Sequence, residues 1–396
     1  MFAATLELRM PLDLFAPFDL GGLKLANRMV MAPMTRNRAE ADGCVPPLMV
    51  AHYRQRATAG LLIAESTTVS PQAVGYPFTP GLHTGAHAAS WRRLTEAVHE
   101  EGGRIFVQLQ HCGRVSHPSL LNGQAPVAPS ALAPVGQAVT YAGPQDFVTP
   151  RALERDELPE VVAQFRRAAE LAKQAGFDGI EVHAGNGYLI DQFLRDGTNH
   201  RLDAYGGSAA NRMRLLNEVL DAVCAQWPAE RVGVRLTPEN SFNSMSDSDP
   251  QGHFEYFLGQ LSPRGLAYAH VLEGDMMTKT ASVDYRALRT RFAGAFIANN
   301  GYDLARAQAA VNSGHTDLVA FGTPFLANPD LVRRYRENLP LAAADPTTFY
   351  GGGEAGYTDY PSYRGDGAQT RALAAAADVQ SGMPPHLALQ DRPPVG

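Results

Sequence analysis

The stretch GIEVHAGNGYLID (179–191) joins a short strand to a cluster of polar side chains, and the rest of the chain can be interpreted from it. Ile180–Val182 has the β-branched residues that are typical of a buried strand. His183, Asn186 and Tyr188 follow within one turn. We expect His183 and Asn186 to hold a carbonyl oxygen while Tyr188 supplies a proton. A histidine satisfied within a core turn is the competing interpretation.

Short apolar runs of this kind recur along the chain, with helical segments between them. They are Met29–Met31, Leu61–Ala64, Ile105–Leu109, Ile180–Val182, Val232–Leu236, Ala269–Leu272, Phe296–Ala298 and Leu318–Phe321. Strands that alternate with helices in this way predict a closed (β/α)8 TIM barrel, in a single domain spanning residues 12–363. A doubly wound open sheet is the alternative architecture.

Two of the intervening segments have clear helical signals. Residues 157–175 repeat apolar side chains at helical spacing, and Gly176 follows as a candidate cap. Residues 208–226 begin at Ser208, a suitable N-terminal cap, and carry a second apolar stripe. Both helices are predicted to cover the barrel from outside.

Two segments break the alternation. Residues 112–150 are rich in Pro, Gly, Ser and Ala, and predict a long excursion over the barrel mouth after the third strand. Residues 364–396 lack aromatic side chains and end in a Pro-rich run, which predicts a poorly ordered C-terminal tail.

Composition excludes several classes of partner. The net charge is −6, from 34 basic and 40 acidic residues, without long runs of one sign, so we expect neither a nucleic acid nor a membrane partner. Cys44, Cys112 and Cys224 lie far apart, which is typical of a reducing compartment. The N-terminus lacks the apolar core of a signal peptide, and no apolar run approaches a membrane span. We therefore expect a cytoplasmic protein.

Polar residues lie in or after most of the predicted strands, at the end of a barrel where catalytic groups collect. Besides the cluster after strand four, the candidates are Pro33, Met34, Thr35, Ser66, Gln108, Gln110, Arg235, Asn299, Asn300, Gly301, Gly322 and Thr323.

Gln108 and Arg235 stand inside otherwise apolar strands, where an unpaired polar group costs several kcal/mol. They either pair within the barrel or face a bound polar ring. A flavin would suit the second interpretation, because Arg235 would stabilise the negative charge of its reduced ring. The loops around Gly301 and Gly322 are where such barrels bind phosphate.

Three other patterns are weaker. GGGEAG (351–356) fits a dinucleotide-binding motif, yet it lacks the preceding strand and the following helix. No GxSxG is present, so a hydrolase nucleophile is not predicted. His111 and His117 do not have the spacing of metal ligands, and we predict no metal site.

The motifs resemble the Old Yellow Enzyme family of FMN-dependent ene-reductases, from Leu14 to Tyr363. The segments that carry this resemblance include LFAPFDLGGLKLANRMVMAPMTRNRA (14–39), VQLQHCGRVSHP (107–118), GFDGIEVHAGNGYLIDQFLRD (176–196), HRLDAYGGSAANR (200–212) and FGTPFLANPDL (321–331). The resemblance implies an oxidoreductase that binds FMN, takes hydride from NADPH or NADH, and passes it by a ping-pong mechanism through flavin N5 to an α,β-unsaturated carbonyl or nitro compound.

The resemblance also implies roles for individual residues. His183 and Asn186 would hold the substrate oxygen, Tyr188 would protonate the α-carbon, and Tyr76 and Tyr350 would lie at the substrate rim. The flavin would be lined by Pro33, Met34, Thr35, Ser66, Gln108 and Arg235. A nitroester or nitroaromatic reductase, and a flavin-binding sensor with little turnover, are the alternatives. The protein would act as a monomer or homodimer.

Two positions depart from the family pattern. Gln110 replaces an aromatic residue that the family usually places in the substrate site. Thr323 replaces an arginine that pairs with the FMN phosphate. The three scattered cysteines exclude the subgroup that carries an iron–sulfur cluster.

Overall fold

The computed structural model describes residues 12–363, and its strands form a closed barrel with three small two-stranded sheets. The strands are β1 (Phe18–Leu20), β2 (Leu23–Leu25), β3 (Met29–Met31), β4 (Leu61–Thr68), β5 (Ile105–Gln110), β6 (Val127–Ala128), β7 (Gln137–Thr140), β8 (Gly143–Asp146), β9 (Arg151–Ala152), β10 (Gly179–Ala184), β11 (Val232–Leu236), β12 (Tyr268–Leu272), β13 (Ala295–Asn299) and β14 (Leu318–Phe321). The barrel order is β3-β4-β5-β10-β11-β12-β13-β14, closing back on β3, and each neighbouring pair is parallel. This confirms the TIM barrel and excludes the open sheet.

Helices connect the barrel strands. They are α1 (Pro47–Arg54), α2 (Gly85–Glu100), α3 (Leu158–Gln174), α4 (Leu189–Leu194), α5 (Ala209–Arg212), α6 (Arg214–Cys224), α7 (Pro250–Leu261), α8 (Tyr285–Thr290), α9 (Leu304–Asn312), α10 (Thr323–Ala327) and α11 (Leu331–Arg336). Among residues 12–363, no helix has both the length and the apolar composition that crossing a bilayer would require.

The two predicted helices form, with one difference. After α3, Gly176 adopts φ +80°, a left-handed conformation that glycine reaches without steric cost. Ser208 caps α5, because its side chain accepts a hydrogen bond from the backbone N–H of Asn211. The segment expected to be one helix is interrupted at Met213, which separates α5 from α6.

The barrel interior is filled at its N-terminal end. Phe106 and Tyr268 stack there with ring centroids 5.9 Å apart, and Ile297 belongs to the same buried cluster. Leu20 and Leu23 of the β1–β2 hairpin join this cluster. A second apolar layer separates the strands from the helices. The packed N-terminal end therefore leaves the C-terminal end of the barrel as the place where a ligand can enter between the strands.

Several strands are longer than predicted, and in β4 and β10 the extension includes a candidate site residue. β4 continues to Thr68 through an irregularity between Ala64 and Thr67, so Ser66 lies within the strand instead of after it. Such a bulge re-aims a side chain towards a site. β10 continues to Ala184, and His183 is likewise part of its strand, opposite Arg235 of β11. Hydrogen bonding to the neighbouring strands continues past the apolar run in each case, so the strand is longer than that run.

The predicted excursion carries structure of its own. It contains the β7–β8 hairpin, while β6 pairs with β9. Arg114 anchors its base by donating to the carbonyl oxygens of Leu132 and Asn243. Near its tip, Tyr141 meets Phe78 edge to face at 5.0 Å. The predicted C-terminal tail, residues 364–396, lies outside the described residues.

Candidate active site

A cavity of about 1000 Å³ opens at the C-terminal end of the barrel. It is lined by every candidate residue except Gln110: Pro33, Met34, Thr35, Ser66, Tyr76, Gln108, His183, Asn186, Tyr188, Arg235, Asn299, Asn300, Gly301, Gly322, Thr323 and Tyr350. Its size suits a cofactor or drug-sized ligand. Further residues that no sequence motif indicated also line the cavity, among them Asn37, Phe78, Val139, Phe242, Met276 and Tyr302.

His183 enters the cavity from β10 as a buried side chain. Burial lowers its pKa well below the usual value, and the nearby Arg235 and His270 lower it further. The imidazole is therefore neutral at physiological pH. Its Nδ1 is buried and has no hydrogen-bond partner in the protein. A neutral ring with an unused nitrogen is suited to binding a polar ligand atom.

Asn186 lines the cavity and is held by three hydrogen bonds to neighbouring residues. It adopts φ +55°, and its backbone N–H donates to Thr237 Oγ1 at 2.8 Å. Asn243 Nδ2 donates to its carbonyl oxygen at 2.8 Å. Asn240 Nδ2 donates to Asn186 Oδ1 at 3.1 Å. Because the amide oxygen already accepts this bond, the amide NH2 is the group that Asn186 can offer to a ligand.

Tyr188 sits directly before α4, and its hydroxyl lies 3.1 Å from the hydroxyl of Tyr76. Burial raises the pKa of Tyr188 well above its usual value, and Tyr76 and Cys112 raise it further. The phenol is therefore protonated at neutral pH. Its ring also meets that of His183 at 5.3 Å. The predicted oxygen-binding and proton-donating groups thus line one cavity, in the protonation states that these roles need.

Gln110 is the exception among the candidates. Its amide nitrogen lies 2.8 Å from Cys112 Sγ, and its amide oxygen is buried without a partner. Burial raises the pKa of the Cys112 thiol to about 12, so this sulfur is an uncharged neighbour. Gln110 thus lies among buried side chains outside the cavity lining.

The pairing of Gln108 and Arg235 within the barrel is observed, and their contact with a bound ring stays a prediction. Gln108 donates to Glu181 Oε1 at 2.7 Å and accepts from Ser66, while Arg235 donates to Asn299 Oδ1 at 3.0 Å. These side chains are therefore paired inside the barrel. Both also line the cavity, and Arg235 Nε is buried without a partner.

The opposite end of the cavity is formed by two loops. Asn300 and Gly301 both adopt positive φ, +94° and +65°. The Asn300 amide donates to the carbonyl oxygen of Glu273 at 2.7 Å, so this side chain is used within the loop. Arg306 lies behind the loop and donates to the Asn300 carbonyl at 3.0 Å. Thr323 is exposed at the start of α10.

The residues fit a flavin mononucleotide. A flavin ring presents polar edges, and the unpartnered Arg235 Nε is a buried donor on a residue that lines the cavity. A phosphate needs backbone N–H groups at a loop, and the glycine-containing loops at Gly301 and Gly322 line the open end. The cavity volume of about 1000 Å³ is large enough for a ligand of that size.

One group outside the cavity has the composition of a metal site. Ligand atoms of Asp196, Asp247 and His253 lie within 4.8 Å of one another. Asp247 is, however, already bonded to His253 at 2.6 Å and faces the buried Arg195 at 3.9 Å. Its negative charge is thus balanced by protein groups, and none of the three residues lines the cavity.

Comparison with known proteins agrees with this geometry. Residues 13–342 match the model of the NADH:flavin oxidoreductase / NADH oxidase family. The chain belongs to this family. A Leishmania infantum protein described as a probable flavin mononucleotide-dependent alkene reductase is 44% identical, over 87% of this chain and 96% of that protein. The 12-oxophytodienoate reductase 1 of Oryza sativa subsp. japonica is 43% identical, over 88% of this chain and 93% of that protein.

Solved structures lead to the same family. A structure of morphinone reductase superposes with a TM-score of 0.86 at 47% identity, covering 89% of this chain and 96% of that one. The resemblance to the Old Yellow Enzyme family is therefore confirmed, as are the barrel fold and the assignment as a flavin-dependent oxidoreductase.

Proposed function

We propose that this protein reduces activated C=C bonds of α,β-unsaturated carbonyl or nitro compounds, with FMN as cofactor and NADPH or NADH as reductant. The observation that carries the proposal is the convergence of neutral His183, oriented Asn186 and protonated Tyr188 on one cavity. The names of the relatives, alkene reductase and 12-oxophytodienoate reductase, support the same reaction class. Residues 12–363 would form the FMN-binding unit.

FMN would be held by residues from both ends of the cavity. Pro33, Met34, Thr35, Ser66, Gln108 and Arg235 would contact its ring, and Asn299, Asn300, Gly301, Gly322 and Thr323 would surround its phosphate. When bound, it would supply the hydride that the protein's own side chains lack. Arg235 would stabilise the negative charge of the reduced ring, because its guanidinium stays protonated although burial lowers its pKa.

His183 and Asn186 would polarise the substrate together. Each can direct an N–H to one carbonyl or nitro oxygen, and negative charge grows on that oxygen as hydride arrives at the β-carbon. Because His183 is neutral, it would act as a hydrogen-bond donor without transferring a proton. Asn240 would keep the Asn186 amide turned the right way.

Tyr188 would complete the reaction by protonating the α-carbon. Its raised pKa keeps the hydroxyl protonated until a basic carbon appears beside it. The Tyr76 hydroxyl, 3.1 Å away, is placed to exchange that proton with the rim of the cavity. Tyr350, at the same rim, would contact the substrate from the solvent side.

The nicotinamide would enter the same cavity. A morphinone reductase structure contains tetrahydroNAD, which supports a nicotinamide as reductant here. The GGGEAG segment (351–356) does not resemble a nucleotide-binding loop, because the carbonyl oxygens of Gly353 and Gly356 accept hydrogen bonds from Arg38 and Arg36. The preference between NADPH and NADH, the cytoplasmic location and the monomeric or homodimeric state stay predictions.

The proposal is tested by purifying the protein and measuring its visible spectrum, then adding NADPH and cyclohexenone without oxygen. We expect a bound flavin that NADPH bleaches and the enone restores, with one cyclohexanone formed per NADPH. A colourless protein that binds no added FMN, or a flavin that NADPH reduces but no enone reoxidises, would contradict it.

A further inference from the structure

A continuous line of buried hydrogen bonds runs beneath the cavity. Gln108 Nε2 donates to Glu181 Oε1 at 2.7 Å, and the other oxygen of this carboxylate lies 2.8 Å from His270 Nδ1. His270 Nε2 lies 3.4 Å from Arg235 Nη1, and Arg235 Nη2 donates to Asn299 at 3.0 Å. Gln108, Arg235 and Asn299 line the cavity, whereas Glu181 and His270 do not.

Strand pairing explains how this line forms. Glu181 of β10 is opposite Gln108 of β5 on one side and Gly233 of β11 on the other. His270 of β12 is opposite Arg235 of β11. Glu181 and His270 therefore come from strands on either side of β11. The ring of Tyr268 packs against Gly233, where a Cβ would lie only 2.3 Å from it.

The charges along the line are balanced. Burial opposes ionisation of Glu181, but His270, Arg235 and the Gln108 hydrogen bond together lower its pKa below the usual value. Burial and Arg235 lower the pKa of His270 although the Glu181 carboxylate opposes them, and the net lowering favours a neutral ring. A neutral ring that donates from Nδ1 to Glu181 has its Nε2 lone pair free to accept from Arg235. The buried positive charge of Arg235 is thus offset through His270 by Glu181.

We propose that Glu181 and His270 are a positioning pair, which fixes the orientation of Arg235 and Gln108 against the cofactor and partly offsets the charge of Arg235. This inference rests on the proposed function, because FMN is the ligand that both cavity-facing residues would meet. The pair touches neither cofactor nor substrate. It sets how strongly Arg235 favours a reduced, anionic ring over an oxidised one.

Two variants separate charge from positioning. Glu181→Gln keeps the volume and the contact with Gln108 but removes the negative charge. We expect it to favour reduced over oxidised FMN about tenfold more than wild type, a rise of about 30 mV in the two-electron midpoint potential. His270→Asn retains an N–H for Glu181 but has no nitrogen that reaches Arg235. We expect it to weaken FMN binding to the apoprotein roughly threefold to tenfold, without raising the potential.

Glu239→Gln is the matched control. Glu239 is a carboxylate at the same end of the barrel, bonded to Ser282 and Tyr285 and to none of the residues in the line. The measurements are FMN affinity by fluorescence quenching, midpoint potential against a reference dye, and thermal unfolding of each variant. We expect the control to match wild type in affinity and potential.

The outcomes distinguish this inference from the proposed function. If wild type binds no FMN, both are overturned. Suppose that wild type binds FMN, but that Glu181→Gln and His270→Asn change neither the FMN affinity nor the preference for reduced over oxidised FMN by more than about twofold. The pair then only stabilises the fold, and this inference alone is wrong. Should Glu181→Gln fail to fold, His270→Asn decides the matter through the same affinity measurement.

Discussion

The two ends of the cavity are built differently. At the substrate end, the polar side chains of His183, Asn186 and Tyr188 are buried or held by other side chains, such as Asn240 and Tyr76. At the phosphate end, several of the lining residues are more open to solvent: Gly301 and Thr323 are exposed, and Asn300 and Gly322 are half-buried.

The cation next to the phosphate end is already paired. Arg306 has a side chain that is 48% exposed, forms an ion pair with Glu273 at 3.0 Å, and donates to the carbonyl oxygens of Asn300 and Gly301. Asp303, an acid, lines the same end of the cavity. This difference indicates where a substitution is tolerated. Replacing a preorganised donor at the substrate end should cost much of the rate, whereas the phosphate can be held by several interchangeable groups.

The strongest test of the substrate end is Tyr188→Phe. This change removes the acid and preserves the ring, so enone reduction is expected to slow by ~10²–10⁴. Flavin reduction by NADPH should stay close to wild type, because that step needs no proton from Tyr188. Stopped-flow measurement of the two half-reactions checks both expectations.

Tyr76→Phe is the matched control, since it removes the hydroxyl next to Tyr188 but not the donor itself. We expect a much smaller effect on enone reduction than in Tyr188→Phe. Equal losses in both half-reactions of Tyr188→Phe would show that the residue is structural. A nitroester reductase would instead keep its main activity in this variant.

His183→Ala should produce the next largest effect. Losing one preorganised donor typically costs about 2.7–4 kcal/mol of transition-state stabilisation, or ~10²–10³ in rate. Since burial lowers the pKa of His183, its ring is neutral at and above pH ~6.5, and enone reduction should show no titration of this residue there. Steady-state kinetics across pH 6.5–8.5 measure the loss of rate in the variant and the pH dependence of the wild-type rate. Wild-type rates in His183→Ala would contradict the assignment of the oxygen-binding site.

Much of this architecture could be predicted from sequence. The barrel strands are short, apolar and regularly spaced, and each predicted run overlaps an observed strand. Residues next to those runs were placed correctly at the cavity, because parallel strands in a barrel deliver their C-terminal ends to one face. Glu181 and His270 were missed, although the argument used for Gln108, a polar residue inside an apolar strand, applies to both.

Other features depend on contacts between distant segments. Asn240 follows β11 in sequence, and the parallel pairing of β10 with β11 brings it to Asn186. Gln110 was expected to face the substrate, yet its amide lies next to Cys112, because the residues that follow β5 fold back against it. Neither side-chain orientation can be read from the spacing of residues along the chain.

The phosphate end is tested by Thr323→Arg. A charge-assisted contact to phosphate is worth about 1.5–3 kcal/mol, so this change is expected to tighten FMN binding by ~10- to 100-fold. Thr323→Gln, which adds length without charge, should leave the affinity near wild type. Fluorescence titration of the apoproteins measures the FMN dissociation constants of wild type and of both variants. No tightening in Thr323→Arg would mean that Arg306 already supplies the charge, and Arg306→Gln should then weaken binding.

The smallest effect is expected for Asn240→Ala, which tests whether the substrate end depends on orientation as well as on donors. Without the bond from Asn240, the Asn186 amide can rotate and present its oxygen, instead of its NH2, to the substrate. A neutral hydrogen bond contributes ~0.5–1.5 kcal/mol, so enone reduction should slow about twofold to tenfold. Asn199→Ala is the control, because Asn199 is buried and bonded to the carbonyl oxygens of Phe193 and Tyr205 but does not line the cavity. If both variants lose stability and only Asn240→Ala loses rate, orientation of Asn186 contributes to catalysis. If neither loses rate, the substrate itself turns the amide, and the contrast between a preorganised end and a permissive end would be confined to His183 and Tyr188.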